Sequence, residues 1–182
     1  MACKGSTFAQ RGNVMPDTVH LEETTANFIA AMGAAATGVS VVTTEGLAGR
    51  FGLTVSAVSS VSADPPMLLA CVNRKSPAVA AMDRNGRFAV NFLGANNQEV
   101  AEVFAGRPKT GKSYDFERHD WNSGSTGMPV LADATASFEC EIECSQDAGS
   151  HRIFIGRVVA AKRNSIEPLV YCNRAFGRVA QL

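Results

Sequence analysis

The chain contains short runs of apolar and β-branched residues that are bounded by glycine, proline, aspartate or asparagine. Runs of this composition and length are typical of β-strands, and several of them alternate apolar with polar positions. The first two runs flank the short segment EGLAG, which predicts a hairpin. The predicted strands are residues 39–44, 50–61, 67–73, 88–93, 134–144, 151–162 and 168–173.

Three segments have the apolar spacing and the end signals of short helices. Thr24 or Thr25 is the expected N-cap of the first helix. Its apolar face is expected to contain Phe28, Ile29 and Met32. The second helix covers residues 76–86 with Ser76 as its N-cap, and the third covers residues 96–106 and is also expected to be capped.

Six or so strands with adjacent turns and a few short helices predict a mainly β protein, built on a closed antiparallel barrel. A length of 182 residues suits one domain. We therefore expect a flexible N-terminal arm, residues 1–17, and one domain over residues 18–182. Residues 107–133 are expected to form a long irregular loop, and loops of that length are usually functional.

Composition narrows the range of partners. The chain has 17 acidic and 17 basic residues, so no net charge attracts a nucleic acid or a membrane surface, and we expect neither as a partner. The N-terminal segment lacks the apolar core of a signal peptide. No run approaches the roughly 18 to 20 apolar residues of a membrane span.

The five cysteines are an odd number and are widely scattered. This usage argues against a disulfide framework and favours a reducing, cytoplasmic location. Cys140 and Cys144 have a spacing compatible with zinc, but no second Cys/His pair that could complete a site lies nearby in the sequence. We expect both to be small buried apolar residues, and we expect no metal site.

The most specific local signal is the segment CVNRKSP, residues 71–77, where a predicted strand ends and a helix begins. Free N–H groups and the positive end of the helix dipole favour a phosphate at a helix N-terminus. Asn73, Arg74, Lys75 and Ser76 add an amide, two cations and a hydroxyl there. The alternative is an ordinary N-cap with two solvated cations, because capping serines are common.

A second candidate surface is the segment TVSAVSSVSADPP, residues 54–66, in which valine alternates with small hydroxyl residues. Small side chains on one face allow a flat ligand to approach the backbone, and hydroxyl groups can bond a phosphate or a ring edge. A half-exposed strand with a polar face explains the same pattern. The hydroxyl residues are Thr54, Ser56, Ser59, Ser60 and Ser62.

The segment from Gly106 to Ser113 matches the spacing GxxxxGK[ST] of a phosphate-binding P-loop. A P-loop leaves a strand and enters a helix, whereas this segment leaves a predicted helix and enters DFERHDW. We therefore interpret it as a mobile flap beside an active site. The cations of this flap are Arg107, Lys109 and Lys112.

Motifs of several catalytic classes are missing from the sequence, including G-x-S-x-G, H-E-x-x-H and G-x-G-x-x-G. Of the three histidines, His20 lies near the N-terminus and His119 lies in the flap. His151 alone lies where a predicted strand meets a turn, in the segment DAGSHRIFIGRV.

Several motifs occur together in a characteristic order: ATGVSVVTT, GLTVSAVSSVSADPPMLLACVNRKSP, GRFAVNFL, FAGR, TGMPVL and DAGSHRIFIGRVVA. In this order they resemble the small flavin reductases of two-component monooxygenases, a group that includes the reductase component of 4-hydroxyphenylacetate monooxygenase. The resemblance covers residues 28–177, nearly the whole chain. SVSADPP followed by CVNRKS is its most specific part.

The resemblance implies a six-stranded antiparallel split β-barrel with short flanking helices, and a homodimer that binds flavin near its interface. It implies hydride transfer from NADH or NADPH to FMN or FAD, and delivery of the reduced flavin to a partner flavin-dependent monooxygenase. The implied cofactor-binding residues match the family's motifs position by position. They are Thr54, Val55, Ser56, Ala57, Ser59, Ser60, Asn73, Arg74, Lys75, Ser76, Phe104, Gly106, Arg107, Tyr171, Arg174 and Phe176.

His151 matches the family's histidine beside the nicotinamide and is the implied catalytic residue. Because a flavin supplies the redox centre, the protein needs only to stack the nicotinamide against it and exclude water. His151 is therefore expected to position the nucleotide rather than to donate a proton. The family commonly has Gly-Asp-His at this turn, whereas this chain has Gly149-Ser150-His151, and serine lacks the carboxylate that would bias the imidazole charge.

Two other functions fit the same pattern. A flavoprotein with tightly bound FMN could act on another substrate, and it would stay yellow through gel filtration. A non-catalytic flavin-binding module would bind flavin without oxidising NADH, and the missing aspartate favours it. An NAD(P)H-dependent flavin reductase is the leading hypothesis. The sequence leaves open FMN against FAD, NADH against NADPH, and the identity of the partner oxygenase.

Overall fold

The computed structural model describes residues 18–180, so the predicted arm, residues 1–17, lies outside the described residues. Its helices are α1 (Thr18–Ala34), α2 (Pro77–Asn85) and α3 (Gln98–Phe104), and none of them is long and apolar enough to cross a membrane. The strands are β1 (Thr37–Gly38), β2 (Ser40–Thr44), β3 (Phe51–Val55), β4 (Val58–Ala63), β5 (Pro66–Asn73), β6 (Arg87–Phe92), β7 (Trp121–Ser123), β8 (Pro129–Leu131), β9 (Ala136–Ala148), β10 (His151–Arg163), β11 (Leu169–Cys172) and β12 (Ala175–Arg178).

Seven strands form one antiparallel sheet in the order β3-β2-β6-β9-β10-β5-β4. The long strands β9 and β10 form a hairpin that turns at Gly149 and Ser150. β5 pairs with the other edge of β10, so that Asn73 at its end lies opposite His151. Smaller sheets are formed by β1-β11-β12 and by β7-β8. The protein is therefore mainly β with a few short helices, as the sequence predicted.

Each predicted run contains a strand, and β2 pairs with β3 in the predicted hairpin. The run of residues 50–61 is divided into β3 and β4 because Ser56 and Ala57 interrupt it. These two strands lie at opposite edges of the sheet. As paired, the sheet has seven strands and two edges, whereas the sequence and the resemblance led us to expect a closed barrel of six strands.

Two apolar clusters hold α2 and α3 on the sheet. The larger cluster includes Phe88 and Phe154, whose ring centroids lie 6.4 Å apart, and α2 contributes Met82 to it. The smaller cluster packs Phe104 of α3 against Leu131 and its neighbours. Burial of a large apolar side chain contributes about 1.5 to 3 kcal/mol, so these contacts fix α2 and α3 against the strands.

α2 forms as predicted, and the other two helices differ at their N-termini. Ser76 caps α2, because its Oγ accepts the backbone N–H of Ala78 at 3.3 Å. α1 begins at Thr18, so Thr24 and Thr25 lie inside it and cap nothing, and the Thr25 hydroxyl donates to a backbone carbonyl one turn earlier. α1 therefore begins about two turns earlier than predicted. A capping residue in the sequence does not exclude such an earlier start.

Asn97 precedes α3 but does not cap it with its side chain. Its Nδ2 donates to the Asp133 carboxylate at 2.7 Å, and its Oδ1 accepts the backbone N–H of Gly94 at 3.0 Å. The side chain of Asn97 does not cap α3, because its oxygen and its nitrogen are both bonded to residues outside the helix.

Residues 107–133 are more ordered than the predicted irregular loop, because they contain the β7-β8 hairpin. Glu139, which is buried on β9, binds the backbone of the turn in this hairpin. Its carboxylate accepts the backbone N–H of Ser125 at 2.8 Å and that of Thr126 at 2.7 Å, and it also accepts the Thr126 hydroxyl. The loop sequence gave no sign of this order because the acceptor lies on another strand.

Two neighbouring cysteines of β9 are buried, as predicted, but they differ chemically. Cys140 is a free thiol whose pKa is raised to about 12 by burial, with the charge of Glu139 adding to the effect. Cys144 is disulfide-bonded. The prediction that both cysteines are simple buried apolar residues is therefore wrong at Cys144, because a count of cysteines does not show which of them meet.

We expect Glu139→Ala to lower the free energy of unfolding by about 1 to 2 kcal/mol, because it removes the charged acceptor of the Ser125 and Thr126 N–H groups in the β7-β8 turn. Urea unfolding followed by the fluorescence of Trp121, the single tryptophan, measures this loss. Glu143→Ala removes an exposed carboxylate from the same strand and should cost less than about 0.5 kcal/mol. Equal losses in both variants would contradict the anchoring role.

Candidate functional site

A cleft of about 570 Å³ opens between β3, the turn from β5 to α2, and the residues that follow α3. We call it the first cleft. It brings together five predicted site residues from three separate parts of the chain. They are Thr54, Asn73, Lys75, Ser76 and Phe104.

The turn from β5 to α2 presents hydrogen-bond donors to the first cleft. Asn73 Oδ1 accepts the backbone N–H of Lys75 at 3.0 Å, which leaves the NH₂ group of Asn73 for other partners. The Ser76 oxygen is used by the helix cap, so its hydroxyl hydrogen remains for donation. Together with the Lys75 ammonium at the N-terminus of α2, these donors suit a phosphate.

The rest of the first cleft has an aromatic and apolar wall. The rings of Phe104 and Phe116 meet edge to face with their centroids 4.8 Å apart. A Cβ at Gly52 would lie 2.7 Å from Phe104 and 2.9 Å from Phe116, so glycine is required for β3 to approach these rings. A wall of this kind beside a turn rich in hydrogen-bond donors suits a flat aromatic ligand that carries a phosphate.

The first cleft also has lining residues that the sequence analysis missed, and the most informative of them are Arg50, Tyr114 and Phe116. The Arg50 guanidinium carbon lies 5.4 Å from the centroid of the Phe116 ring, a cation–π distance. Tyr114 has a φ of 59°, which is uncommon for a bulky residue and is often found at functional positions. Neither the ring contact nor the backbone conformation has a signal in the sequence.

A second cleft, of about 280 Å³, shares Thr54 with the first. Part of its wall is the β11-β12 hairpin, where the Tyr171 and Phe176 ring centroids lie 5.2 Å apart. Arg107 and Arg174 give this cleft two cations against the one carboxylate of Glu102, and this balance favours an anionic ligand. The predicted site residues gathered here in addition to Thr54 are Val55, Ser56, Arg107, Tyr171, Arg174 and Phe176.

The hydroxyl of Thr54 has a structural partner. It donates to the carbonyl oxygen of Ala101 at 2.8 Å and so holds β3 against α3, between the two clefts. The sequence pattern suggested a hydroxyl for the ligand, but the tertiary structure uses it to fix the wall that both clefts share.

Six predicted residues line neither cleft: Ala57, Ser59, Ser60, Arg74, Gly106 and His151. Ala57, Ser59 and Ser60 are exposed on or beside the edge strand β4. Gly106 has a φ of 73°, and a Cβ there would lie 2.6 Å from the Tyr114 hydroxyl. Gly106 therefore makes room for Tyr114, which itself lines the first cleft.

His151 is half-buried at the first position of β10, beside the turn from β5 to α2. Its backbone lies opposite Asn73, which lines the first cleft. The Ser150 hydroxyl lies 2.9 Å from Nδ1 of the His151 ring. Ser150 thus orients the imidazole through a hydrogen bond, without the negative charge that an aspartate at this turn would bring.

Arg74 faces the His151 turn. Its Nη1 donates to the carbonyl oxygen of Gly149 at 3.2 Å, and its Nη2 lies 3.3 Å from the Asp147 carboxylate. Arg152 donates to the same carboxylate through Nε at 2.6 Å. The hydrogen bond from Arg152 lowers the pKa of Asp147 below its usual value of 3.8, and the charges of Arg152 and Arg74 add to this effect.

We expect Asp147→Asn to destabilise the protein only slightly near pH 7, because its ion pairs are exposed, and to lose this effect in acid. A carboxyl whose pKa is lowered by folding stabilises the folded state above its usual pKa of 3.8, and this contribution disappears as the pH falls through the lowered value. Urea unfolding of both proteins across this range tests it. A stability difference that stays constant with pH would contradict the assignment, and Glu143→Gln on the same strand is the control.

Residues 32–180 match the family model described as the flavin reductase like domain. The chain is also similar to a curated protein, the FMN reductase (NADH) RutF of Bradyrhizobium diazoefficiens. The two are 40% identical over 152 residues, which cover 83% of this chain and 82% of the relative.

Two solved structures extend the similarity to the fold. The NADH:FAD oxidoreductase SgcE6 of Streptomyces globisporus C-1027, in complex with NAD and FAD fragments, matches with a TM-score of 0.78 and 31% identity over 87% of this chain and 94% of that chain. The styrene monooxygenase flavin reductase of Pseudomonas putida S12 matches with a TM-score of 0.75 and 27% identity over 86% and 99%. This chain belongs to the flavin reductase-like domain family.

Proposed function

We propose that this protein is an NADH-dependent flavin reductase that reduces FMN or FAD and releases the reduced flavin to a partner monooxygenase. The observation that carries the proposal is the first cleft, where the donors of the β5-α2 turn meet an aromatic wall. The relative named FMN reductase (NADH) and the neighbour solved with NAD and FAD fragments support flavin and NADH as its substrates.

The residues of the first cleft fit a flavin. Asn73, Lys75 and Ser76 would hold the flavin phosphate with an amide, an ammonium and a hydroxyl, all of which donate. Phe104 and Phe116 would lie against the isoalloxazine. When bound, the flavin supplies the hydride acceptor, and the task of the protein is to orient the nicotinamide and exclude water.

His151 would orient the nicotinamide beside this cleft. Its neighbour Ser150 holds Nδ1 of the ring, so Nε2 is the nitrogen left to contact the nucleotide. The ring needs no charge for this role, which agrees with a serine in place of aspartate. The second cleft, with Arg107 and Arg174, would accommodate the more distal part of the ligand.

Purified protein tests the proposal directly. We expect oxidation of NADH that depends on added flavin, with FMN, FAD and riboflavin compared against both NADH and NADPH. No oxidation with any pair would overturn the reductase function, and binding of flavin without oxidation would favour a non-catalytic module. Yellow protein that keeps its FMN through gel filtration would favour a flavoprotein that acts on another substrate.

We expect Lys75→Gln to raise the dissociation constant for FMN by about tenfold or more, because it removes a charge-assisted hydrogen bond to the phosphate. Quenching of flavin fluorescence measures the binding. Riboflavin lacks the phosphate, so its affinity should not change. Lys162→Gln, at the far end of β10, is the matched control and should leave both affinities unchanged. An equal loss for riboflavin and FMN would contradict a phosphate contact.

We also propose that the protein is a homodimer whose interface completes the flavin site. Ser59 and Ser60 lie exposed on the edge strand β4 and line neither cleft, which suits a role against a second subunit. α1 carries an exposed apolar face that a partner would cover. This face consists of Leu21, Phe28, Ile29 and Met32, which are 48 to 63% exposed.

We expect Phe28→Asp to shift the protein from dimer to monomer, because it places a charge in the apolar face of α1. Light scattering coupled to size-exclusion chromatography measures the mass. Asn27→Asp adds the same charge on the opposite face of the helix and should leave the dimer intact. A wild-type protein that is monomeric, or a Phe28→Asp variant that stays dimeric, would contradict this interface.

We propose that the seven-stranded sheet corresponds to a six-stranded split barrel in which β3 and β4 are two halves of one strand. β3 and β4 are separated by Ser56 and Ala57 and form the two edges of the sheet. If they are counted as one bent strand, the edges join and six strands remain. The hydrogen bond from the Cys71 N–H to the Ala57 carbonyl oxygen, 2.9 Å long, supports continuity at the bend. We propose one such domain over residues 18–182, and the use of NADH supports a cytoplasmic location.

A further inference from the structure

We propose that Arg74 is a positioning residue for the nucleotide and not a ligand of the flavin phosphate. Arg74 would fix the turn at Gly149 and Ser150, directly before His151, at a set position beside the proposed phosphate-binding turn. This inference rests on the proposed reductase function. It also separates Arg74 from Lys75, the next residue, although the sequence offers both as phosphate-binding cations.

Three contacts join Arg74 to the turn before His151. Its backbone N–H donates to the carbonyl oxygen of Ser150 at 3.0 Å. Its guanidinium donates to the carbonyl oxygen of Gly149 at 3.2 Å and pairs with Asp147 at 3.3 Å. The guanidinium is therefore engaged along one side of the turn, and Arg74 does not line either cleft.

Asp147 extends this contact to α2. It accepts a hydrogen bond from Arg152, and Arg152 also pairs with Asp83 of α2. The result is a chain of alternating charges, Arg74–Asp147–Arg152–Asp83, whose two ends belong to the turn before α2 and to α2 itself. The helix with the proposed phosphate site at its N-terminus is thereby tied twice to the hairpin that ends in His151.

The exposure of the Arg74–Asp147 pair indicates that it orients the turn before His151 and adds little to the stability of the fold. The Arg74 side chain is 51% exposed and that of Asp147 is 37% exposed, and exposed ion pairs contribute little to folding. A guanidinium that contacts a carbonyl and a carboxylate at once nevertheless fixes direction. Movement of the turn would move Ser150, and with it the hydrogen bond that orients the imidazole.

Lys75 has the opposite arrangement. Its side chain lines the first cleft, and its backbone N–H is bonded to Asn73 within the phosphate-binding turn. Arg74 and Lys75 both lie in the turn after β5, and this turn directs the Arg74 side chain to the adjacent hairpin and the Lys75 side chain to the cleft. The two substitutions should therefore affect different substrates.

The test compares Arg74→Gln with Lys75→Gln in the full-length protein. For Arg74→Gln we expect a fall of about tenfold in kcat/KM for NADH at saturating FMN, because misplaced reacting groups lose rate steeply. Its dissociation constant for FMN should stay within about twofold of the wild type, whereas Lys75→Gln weakens FMN binding by about tenfold or more. Arg74→Lys, which keeps the charge facing Asp147, should recover part of the NADH effect.

A second measurement does not depend on turnover. Hydrogen–deuterium exchange should be faster across residues 147–151 in Arg74→Gln and unchanged there in Arg84→Gln, which removes an exposed arginine from α2. Asp147→Asn should reproduce the NADH effect, and the double variant should lose less than the sum of the two, because the residues act as one unit.

Two results would overturn the role of Arg74. One is a rise in the FMN dissociation constant equal to that of Lys75→Gln, which would make Arg74 a phosphate ligand. The other is unchanged exchange across residues 147–151. If the wild type binds FMN but does not oxidise NADH, the proposed function is wrong. The exchange and FMN-binding data still decide whether Arg74 holds the turn before His151 or binds the flavin phosphate.

Discussion

The antiparallel pairing of β10 with β5 is the contact on which the candidate site depends. β5 ends at Asn73 and β10 begins at His151, and the register places these two residues opposite each other. The register is fixed from within, because Phe154 and Ala70 form a pair that is fully buried. A slip of one residue would turn every side chain of β10 to the other face and would separate the two turns.

The clefts depend on a second constraint, the close approach of β3 to α3. Gly52 allows the strand to reach the rings of Phe104 and Phe116, and the Thr54 hydroxyl ties the strand to the helix backbone. Because Thr54 lines both clefts, a small shift of β3 would change both of them at once. The close approach of β3 to α3 therefore accounts for Gly52 and Thr54 without a ligand role for the Thr54 hydroxyl.

The arginines and lysines around the site have two different roles: some line the clefts, and others hold the backbone of the site in place. The chain has no net charge, but it places Lys75 in one cleft and Arg107 with Arg174 in the other. Arg74 and Arg152 are used instead to hold the His151 turn. Since a cation next to a phosphate-binding turn can serve either purpose, its sequence position alone does not assign it.

The sequence by itself determined the seven predicted strand segments, the capped helix α2 and the turn that precedes it, because these depend on neighbouring residues and on local hydrogen bonds. The order of its motifs also indicated the family. Only the tertiary structure decided that Glu139 orders the β7-β8 turn, and that Arg74 contacts Gly149, 75 positions away. Such contacts follow from strand pairing and burial, which bring distant segments together and leave no periodic signal in either of them.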